Sequence, residues 1–303
     1  MKKKNKKKLP PEERPGMSEG GMRALCQLPA LLLLLAIVIL PLLATLVLSF
    51  SAFDPAIAEK PVFVGVENYR ALFDRSSDEV LAATSATGIT ILVAVSAQTV
   101  LGFGLALLLR RRFFGRGLLF SLLLIPLLLS PAVIATFWRY LSHPDFGLLP
   151  WAAGELGLPV TLIHRWACLG VETWIWTPFM MLLCLAGMSR IPESVYEAAV
   201  IDRASAWFRF CHITLPRTAP LVLLGVLFRV ADSIRIFDTA LSVRPDLQSL
   251  EATSLSVLLY RQAFYGDVGF GVAAALTSLI ALVAIVIACF VIHQHGRVRR
   301  LGG

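Results

Sequence analysis

Charge is scarce in this chain. Of its 303 residues only 16% are Asp, Glu, Lys or Arg, against 57% hydrophobic residues and a mean hydropathy of +0.74. That balance excludes an ordinary soluble domain, in which about a quarter of residues are charged. A G-x-x-x-x-G-K-[ST] run is also missing, so the chain has no phosphate loop with which to hold ATP. The five cysteines, Cys26, Cys168, Cys184, Cys211 and Cys289, show no C-x-x-C spacing and read as small buried hydrophobes. His143, His164, His212, His293 and His295 stand apart from acids at ligand spacing. Neither a Ser/His/Asp set nor a carboxylate pair falls within an apolar run. These absences leave no catalytic residue, metal site or cofactor site to assign. Alternation is lacking too: the apolar runs are continuous and Leu-rich, which argues against a transmembrane barrel.

What the chain does contain is six long apolar runs, at Leu28–Ser51, Ala86–Arg110, Leu118–Tyr140, Cys168–Met188, Pro216–Ile236 and Gly269–Ile292. About 20 residues rising 1.5 Å each cross a hydrocarbon core of about 30 Å. The expected fold class is therefore an all-α membrane protein with six transmembrane helices. The first run follows a basic segment, but it is too long for the apolar region of a signal peptide, so a retained span is expected.

Orientation follows from Lys and Arg. The segments Met1–Gln27, Arg110–Gly117, Ser189–Leu215 and His293–Gly303 alternate on one side of the membrane and together hold eighteen. The opposite loops hold six: Lys60, Arg70, Arg75, Arg165, Arg244 and Arg261. They also carry Asp54, Glu59, Glu67, Asp74, Asp78 and Glu79. The positive-inside rule then places both termini in the cytoplasm. Three parts are expected: a basic tail over 1–27, a six-helix domain over 28–292 with a cytoplasmic loop at 190–216, and a tail over 293–303. The net charge of +8 is mostly this topology signal. Lys2–Lys8 has no interleaved aromatics, so it reads as a tail held near anionic lipid headgroups and not as a nucleic-acid site.

The loop between the fourth and fifth runs is polar and amphipathic: YEAAVIDRASAWFRFCHITLP, Tyr196–Pro216. Pro192 ends the fourth span, because it cannot continue the hydrogen-bond ladder. Glu193 to Ala199 reads as a short helix with acids in its first turns, favourable to the helix dipole. Val195, Ala198, Ala199, Trp207 and Phe208 fall near helical spacing and are expected to form one face of a two-part helix on the membrane surface. Pro216 is expected in the first turn of the fifth span, where its missing N–H costs nothing.

Tyr196, Glu197-Ala198-Ala199, Asp202, Ala204, Phe208, Ile213, Leu215 and Pro216 resemble the EAA loop of permease subunits in type I binding-protein-dependent ABC importers. The resemblance runs from about Leu28 to Ile292. Trp176-Thr177-Pro178-Phe179, Leu185-Ala186-Gly187-Met188, Ile191-Pro192, Phe228-Arg229, Asp232, Arg235, Phe237-Asp238 and Tyr260-Arg261-Gln262-Ala263-Phe264 are similar to the carbohydrate branch. So are Phe63-Val64-Gly65 and Asn68-Tyr69; the arrangement resembles trehalose- and maltose-type permeases. The resemblance implies a MetI-like fold in a bacterial cytoplasmic (inner) membrane, and the loop as the coupling helix that seats in a cytoplasmic ATPase. Its implied partners are an ABC ATPase dimer, a second permease subunit of paralogous sequence and an extracytoplasmic sugar-binding protein. Two departures stand. Arg203 occupies a position that is usually Gly in the family, which implies either an altered bend or a contact of its own. Leu241-Ser242-Val243-Arg244-Pro245-Asp246 replaces the usual Thr-Gly-Gly-Gly-Pro-like turn.

Arg229, Asp232, Arg235 and Asp238 recur every three residues with alternating sign. Neighbours at i,i+3 share a helix face, and ionisable groups within a span face a protein interior or a water-filled cavity. With Phe237 as a stacking surface the stripe suits a sugar path; a salt-bridge ladder locking the fifth span to a neighbour fits as well. Docking of the binding protein, chiefly through Arg235 and Asp238, is the third reading. Glu172, near Trp174 and Trp176, fits either the same path or the outer interface, where Trp is favoured. A path for a phosphorylated polyol or polyamine is the alternative within transport. An ATP-independent channel or membrane scaffold is the alternative outside it.

Overall fold

The computed structural model describes residues 19–53, 60–75, 77–111, 113–157, 160–237, 254–265 and 269–301. The chain divides into two compact units, Met1–Val47 and Leu48–Gly303. In the first, helix α1 (Glu19–Leu34) passes through a π-helical turn, Leu35–Ile39, into α2 (Leu40–Ser49). The turn closes with the Leu40 N–H on the Leu35 carbonyl, one residue before Pro41. A π turn shifts the carbonyls that a proline ring would otherwise meet.

The second unit is built on long helices. After a two-residue hairpin of β1 (Ser51–Ala52) and β2 (Val62–Phe63) come α3 (Glu67–Arg75), α4 (Ser77–Arg110), α5 (Arg116–Leu128), α6 (Pro131–Leu141) and α7 (Leu148–Glu155). Helix α8 (Val160–Ser189) leads to α9 (Glu193–Ile201), α10 (Ala206–Arg209), a second π turn at Phe210–Thr214, and α11 (Leu215–Ser233). Helices α12 (Leu255–Tyr265) and α13 (Phe270–Leu301) complete the described residues.

Five helices among the described residues are long and apolar enough to cross a membrane, and α5 with α6 makes a sixth span if that bent pair is counted as one. The third run, expected as a straight span, is broken: α5 and α6 meet at 97°. Pro131 opens α6, and the preceding Ser130 and Leu129 are extended, with ψ of 135° and 150°. Clash with the proline ring drives the residue before it out of the helical region. Pro216 stands in the first turn of α11, as expected, but the span does not begin there: it is continuous from Ala206 to Ser233. The π turn ahead of Pro216, closed by Leu215 N–H on the Phe210 carbonyl, accommodates the ring as at Pro41. The last helix runs on through most of the expected C-terminal tail.

Helices α4 and α8 pack most extensively. Their backbones touch at Gly102, where a Cβ would stand 2.8 Å from Met180 Cβ and from the Met181 nitrogen. Small residues permit this approach in lipid, where close packing rather than water exclusion holds helices together. Around it Phe103, Ala106, Leu109, Met181, Cys184 and Met188 form a core, while Leu72, Ala83, Leu258, Val272 and Leu276 form another among α3, α4, α12 and α13. Asn68 Nδ2 donates to the Ser49 and Ser51 carbonyls, each at 2.9 Å, tying α3 to β1.

Candidate functional site

The polar loop folds as two short helices joined by a tight turn. Helix α9 ends with Arg203 N–H on the Val200 carbonyl at 3.0 Å and Ala204 N–H on the Ala199 carbonyl at 2.9 Å. This pair of bonds is a Schellman cap, which requires a left-handed residue between them. That residue is Arg203, with φ +55°, and it is the one non-glycine residue of positive φ among those described. Its substitution for the usual Gly therefore leaves the turn in place. The cost is about 1 kcal/mol or more, from the Cβ meeting the following carbonyl oxygen. Ser205 caps α10, its hydroxyl accepting from Phe208 N–H at 3.1 Å.

The apolar residues grouped by spacing differ in their burial within the protein. Tyr196 and Ala199 are buried, whereas Ala198 is exposed and Trp207 and Phe208 are 73% and 48% exposed. The reason is the Tyr196 side chain. Its hydroxyl hydrogen-bonds Thr214 Oγ1 at 2.9 Å, and the Arg110 guanidinium lies 3.8 Å over its ring. Those two contacts rotate α9 so that Glu197, Ala198 and Asp202 face outward. Ala204 is half-buried in the turn; Arg203, Leu215 and Pro216 are exposed. Phe208 stacks on His212 with ring centroids 4.1 Å apart. The loop thus presents a carboxylate flanked by small side chains on a helix that is held from behind.

The second site lies within the helices. Arg229 is fully buried on α11 and uses nearly every donor of its fork. Nη2 reaches Glu172 Oε2 on α8 at 2.9 Å and Ser233 Oγ at 3.0 Å; Nε reaches Gln98 Oε1 on α4 at 3.1 Å; Nη1 pairs with Asp232. Its guanidinium carbon stands 4.0 Å from the centre of the Trp176 ring. Gln98 in turn donates to the Glu172 carbonyl at 3.0 Å. Three helices are thereby clamped through one arginine, in the geometry by which a buried charge is tolerated: paired and hydrogen-bonded.

The alternating stripe forms an i,i+3 ladder whose members differ in exposure. Arg229 is sealed in the interior, Asp232 is partly exposed and bonded to both arginines, and the Arg235 side chain is 77% exposed beyond the end of α11, 3.3 Å from Asp232. Phe237 is half-buried beside Tyr260, with ring centroids 5.1 Å apart. Glu172 lies buried on Arg229. Asp238 and the Leu241–Asp246 turn lie outside the described residues. Sequence reasoning missed Gln98, Ser233 and Thr214. An uncharged amide in the middle of an apolar run was the available signal for Gln98, since polar groups inside a span seek partners.

Three comparisons bear on this architecture. The profile of the family described as "Binding-protein-dependent transport system inner membrane component" matches residues 98–300. The trehalose/maltose transport system permease protein of Thermococcus litoralis is 34% identical over 279 residues, covering 90% of this chain and 92% of that one. The trehalose transport system permease protein of Mycobacterium tuberculosis is 35% identical over 286 residues, covering 92% and 90%. Among solved structures, a bacterial alginate ABC transporter in complex with an alginate pentasaccharide-bound periplasmic protein matches with a TM-score of 0.76. That match covers 92% of this chain and 95% of the other at 20% identity, a likeness of fold.

Proposed function

Since the chain belongs to the family of binding-protein-dependent transport system inner membrane components, we propose that it forms half of a sugar path through the bacterial inner membrane, in an importer driven by a separate ABC ATPase dimer. Its relatives carry trehalose or maltose in their names, which supports a disaccharide as the substrate class. The other half of the path is a second, paralogous permease subunit, and sugar arrives on an extracytoplasmic binding protein. The chain supplies no ATP chemistry; its task is to convert motion of the motor into exposure of the path.

The observation that carries this reading is the geometry of the loop at 190–216. Tyr196, Ala199 and the Arg203 turn fix the helix pair to the transmembrane body, while Glu197, Ala198, Asp202 and Phe208 are left facing outward. A rigid helix with a carboxylate in no ion pair among the described residues, and with small neighbours, suits a cleft in a cytoplasmic motor. When ATP closes the motor dimer, the loop moves as a body and the helices rock from inward-open to outward-open. The loop is then the two-state element that links nucleotide and sugar sites.

At the other end, we assign contact with sugar or the binding protein to Asp232, Arg235 and Phe237; their retained exposure, alone among the described stripe, supports this. Arg229, Glu172 and Trp176 support that path from behind by holding α4, α8 and α11 in register. The segments 1–27 and 293–303 are assigned to the cytoplasmic side, the first near anionic headgroups.

The test is Glu197→Arg in the assembled importer. Expected is loss of sugar uptake with the complex still inserted and ATP hydrolysis no longer stimulated by loaded binding protein. Unchanged uptake, or the absence of any copurifying ATPase, would overturn the coupling role and favour a channel or scaffold.

A further inference from the structure

Behind the coupling loop lies a groove of about 1440 Å³ whose use the transport cycle does not explain. Its rim carries Arg110, Arg111, Arg116 and Arg209 against a single carboxylate, Glu193. Among the described residues none of the four arginines is in an ion pair. Arg209 also has a buried Nε with no hydrogen-bond partner in the protein. Burying a donor without an acceptor is costly, so this atom marks the place of a missing acceptor.

The position of the groove identifies the chemistry. Arg110 is the last residue of α4, Arg116 the first of α5, and Ser189 the last of α8. Three apolar helices therefore end at this rim, and helix ends of this kind stand at the level of lipid headgroups when the helices cross a membrane. One or two turns toward the membrane centre the walls become apolar: Leu107, Phe120, Leu182 and Leu185. A charged rim over an apolar floor fits a molecule that is anionic at one end and hydrocarbon at the other. A soluble anion would leave the floor wet, and one acidic side chain from a partner would leave most of the volume unfilled.

We propose that this groove binds an anionic phospholipid, with its phosphate held by Arg111, Arg116 and Arg209 and its acyl chain on the Leu107–Phe120 wall. Guanidinium forks suit phosphate oxygens, which they bind in pairs, and basic pockets between helix ends on the cytoplasmic side collect such headgroups. The consequence is mechanical. The lipid bridges the α4–α5 connection to Arg209 of the coupling loop, so an anionic headgroup braces the loop against the body that it moves. The inference rests on the cytoplasmic placement of this face proposed above.

The experiment uses the whole importer in nanodiscs of phosphatidylcholine, with or without one-third phosphatidylglycerol, read by native mass spectrometry and by the ratio of sugar imported to ATP hydrolysed. Expected is retained phosphatidylglycerol on the wild-type complex and a higher ratio in its presence. The exposed pair Arg111→Gln with Arg116→Gln should lower retention roughly tenfold and remove the gain in ratio. Arg209→Gln should act in the same direction. Equal retention in variants and wild type overturns the site. So does inorganic phosphate reproducing the gain in pure phosphatidylcholine, which would assign the groove to a free anion. The uncoupled Glu197→Arg complex should still retain the lipid, so failure of the coupling role and failure of the lipid site are read separately.

Discussion

Two polar regions of this apolar protein treat their charges in opposite ways. At Arg229 the guanidinium is sealed among Gln98, Glu172, Asp232 and Ser233, and all of its bonds are internal. In the loop at 190–216 Glu197 and Asp202 face outward, and only the back of the helix is bonded, through Tyr196 and the Arg203 turn. The first arrangement holds helices in a fixed register where no water can compete. The second leaves recognition groups available for another molecule. Burial with full satisfaction marks the part that stays rigid, and exposure with a braced backbone marks the part that reports outward.

Breaking the clamp should have the largest effect on stability. Glu172→Ala strands the Arg229 charge in the interior and should cost about 3–5 kcal/mol, read as early thermal unfolding in detergent. A cost near that of a surface change would show that water reaches Arg229 and that the contrast between the regions is false. Next is Gly102→Leu, which drives a side chain into the Met180–Met181 backbone and should cost at least about 1–3 kcal/mol. Because Gly102 lies one turn from Gln98, this variant should also weaken the clamp. Additive costs in the Gly102→Leu, Glu172→Ala double variant would separate the two.

Within the loop the effects are smaller. Tyr196→Phe removes one hydrogen bond and should cost about 1 kcal/mol, with a larger loss in coupling than in stability if the back of the helix transmits motion. Arg203→Gly should stabilise the loop by about 1 kcal/mol through relief of the left-handed strain. Preserved ATPase binding in that variant shows a strained turn; lost binding shows that Arg203 touches the motor. Smallest is Glu197→Ala, expected within about 0.5 kcal/mol of wild type as an exposed substitution, while its uptake falls.

Much of the architecture was legible residue by residue. Six apolar runs became five long helices and one broken pair, and Pro192 ended α8's connection as its missing N–H requires. The break in the third run was also written locally, in Leu129-Ser130-Pro131, but a composition window averages over it. The site was legible in part. Glu197, Asp202 and Phe208 could be picked out, and Arg203 marked as standing in a glycine position. The buried face of α9 could not, because it is set by Thr214 and by Arg110, which reach Tyr196 from elsewhere in the chain. Likewise the three-residue charge repeat pointed to the Arg229–Asp232–Arg235 ladder, which forms, but not to the residues that tie it to other helices: Arg229 bonds Glu172 and Gln98, 57 and 131 residues away.

The sequence alone settled the membrane class, the approximate spans, the side on which basic residues gather and the two-part loop. Each depends on something local: the length of an apolar run, a proline without its N–H, a loop's count of Lys and Arg. Only the tertiary structure decided which faces of the helices meet, and so which charges are sealed and which are offered. A helix that is apolar nearly all round carries no stripe to fix its rotation. Its register is set instead by close contacts such as Gly102 on Met180, and the Arg229 clamp and the arginine-rimmed groove exist only once that register is chosen.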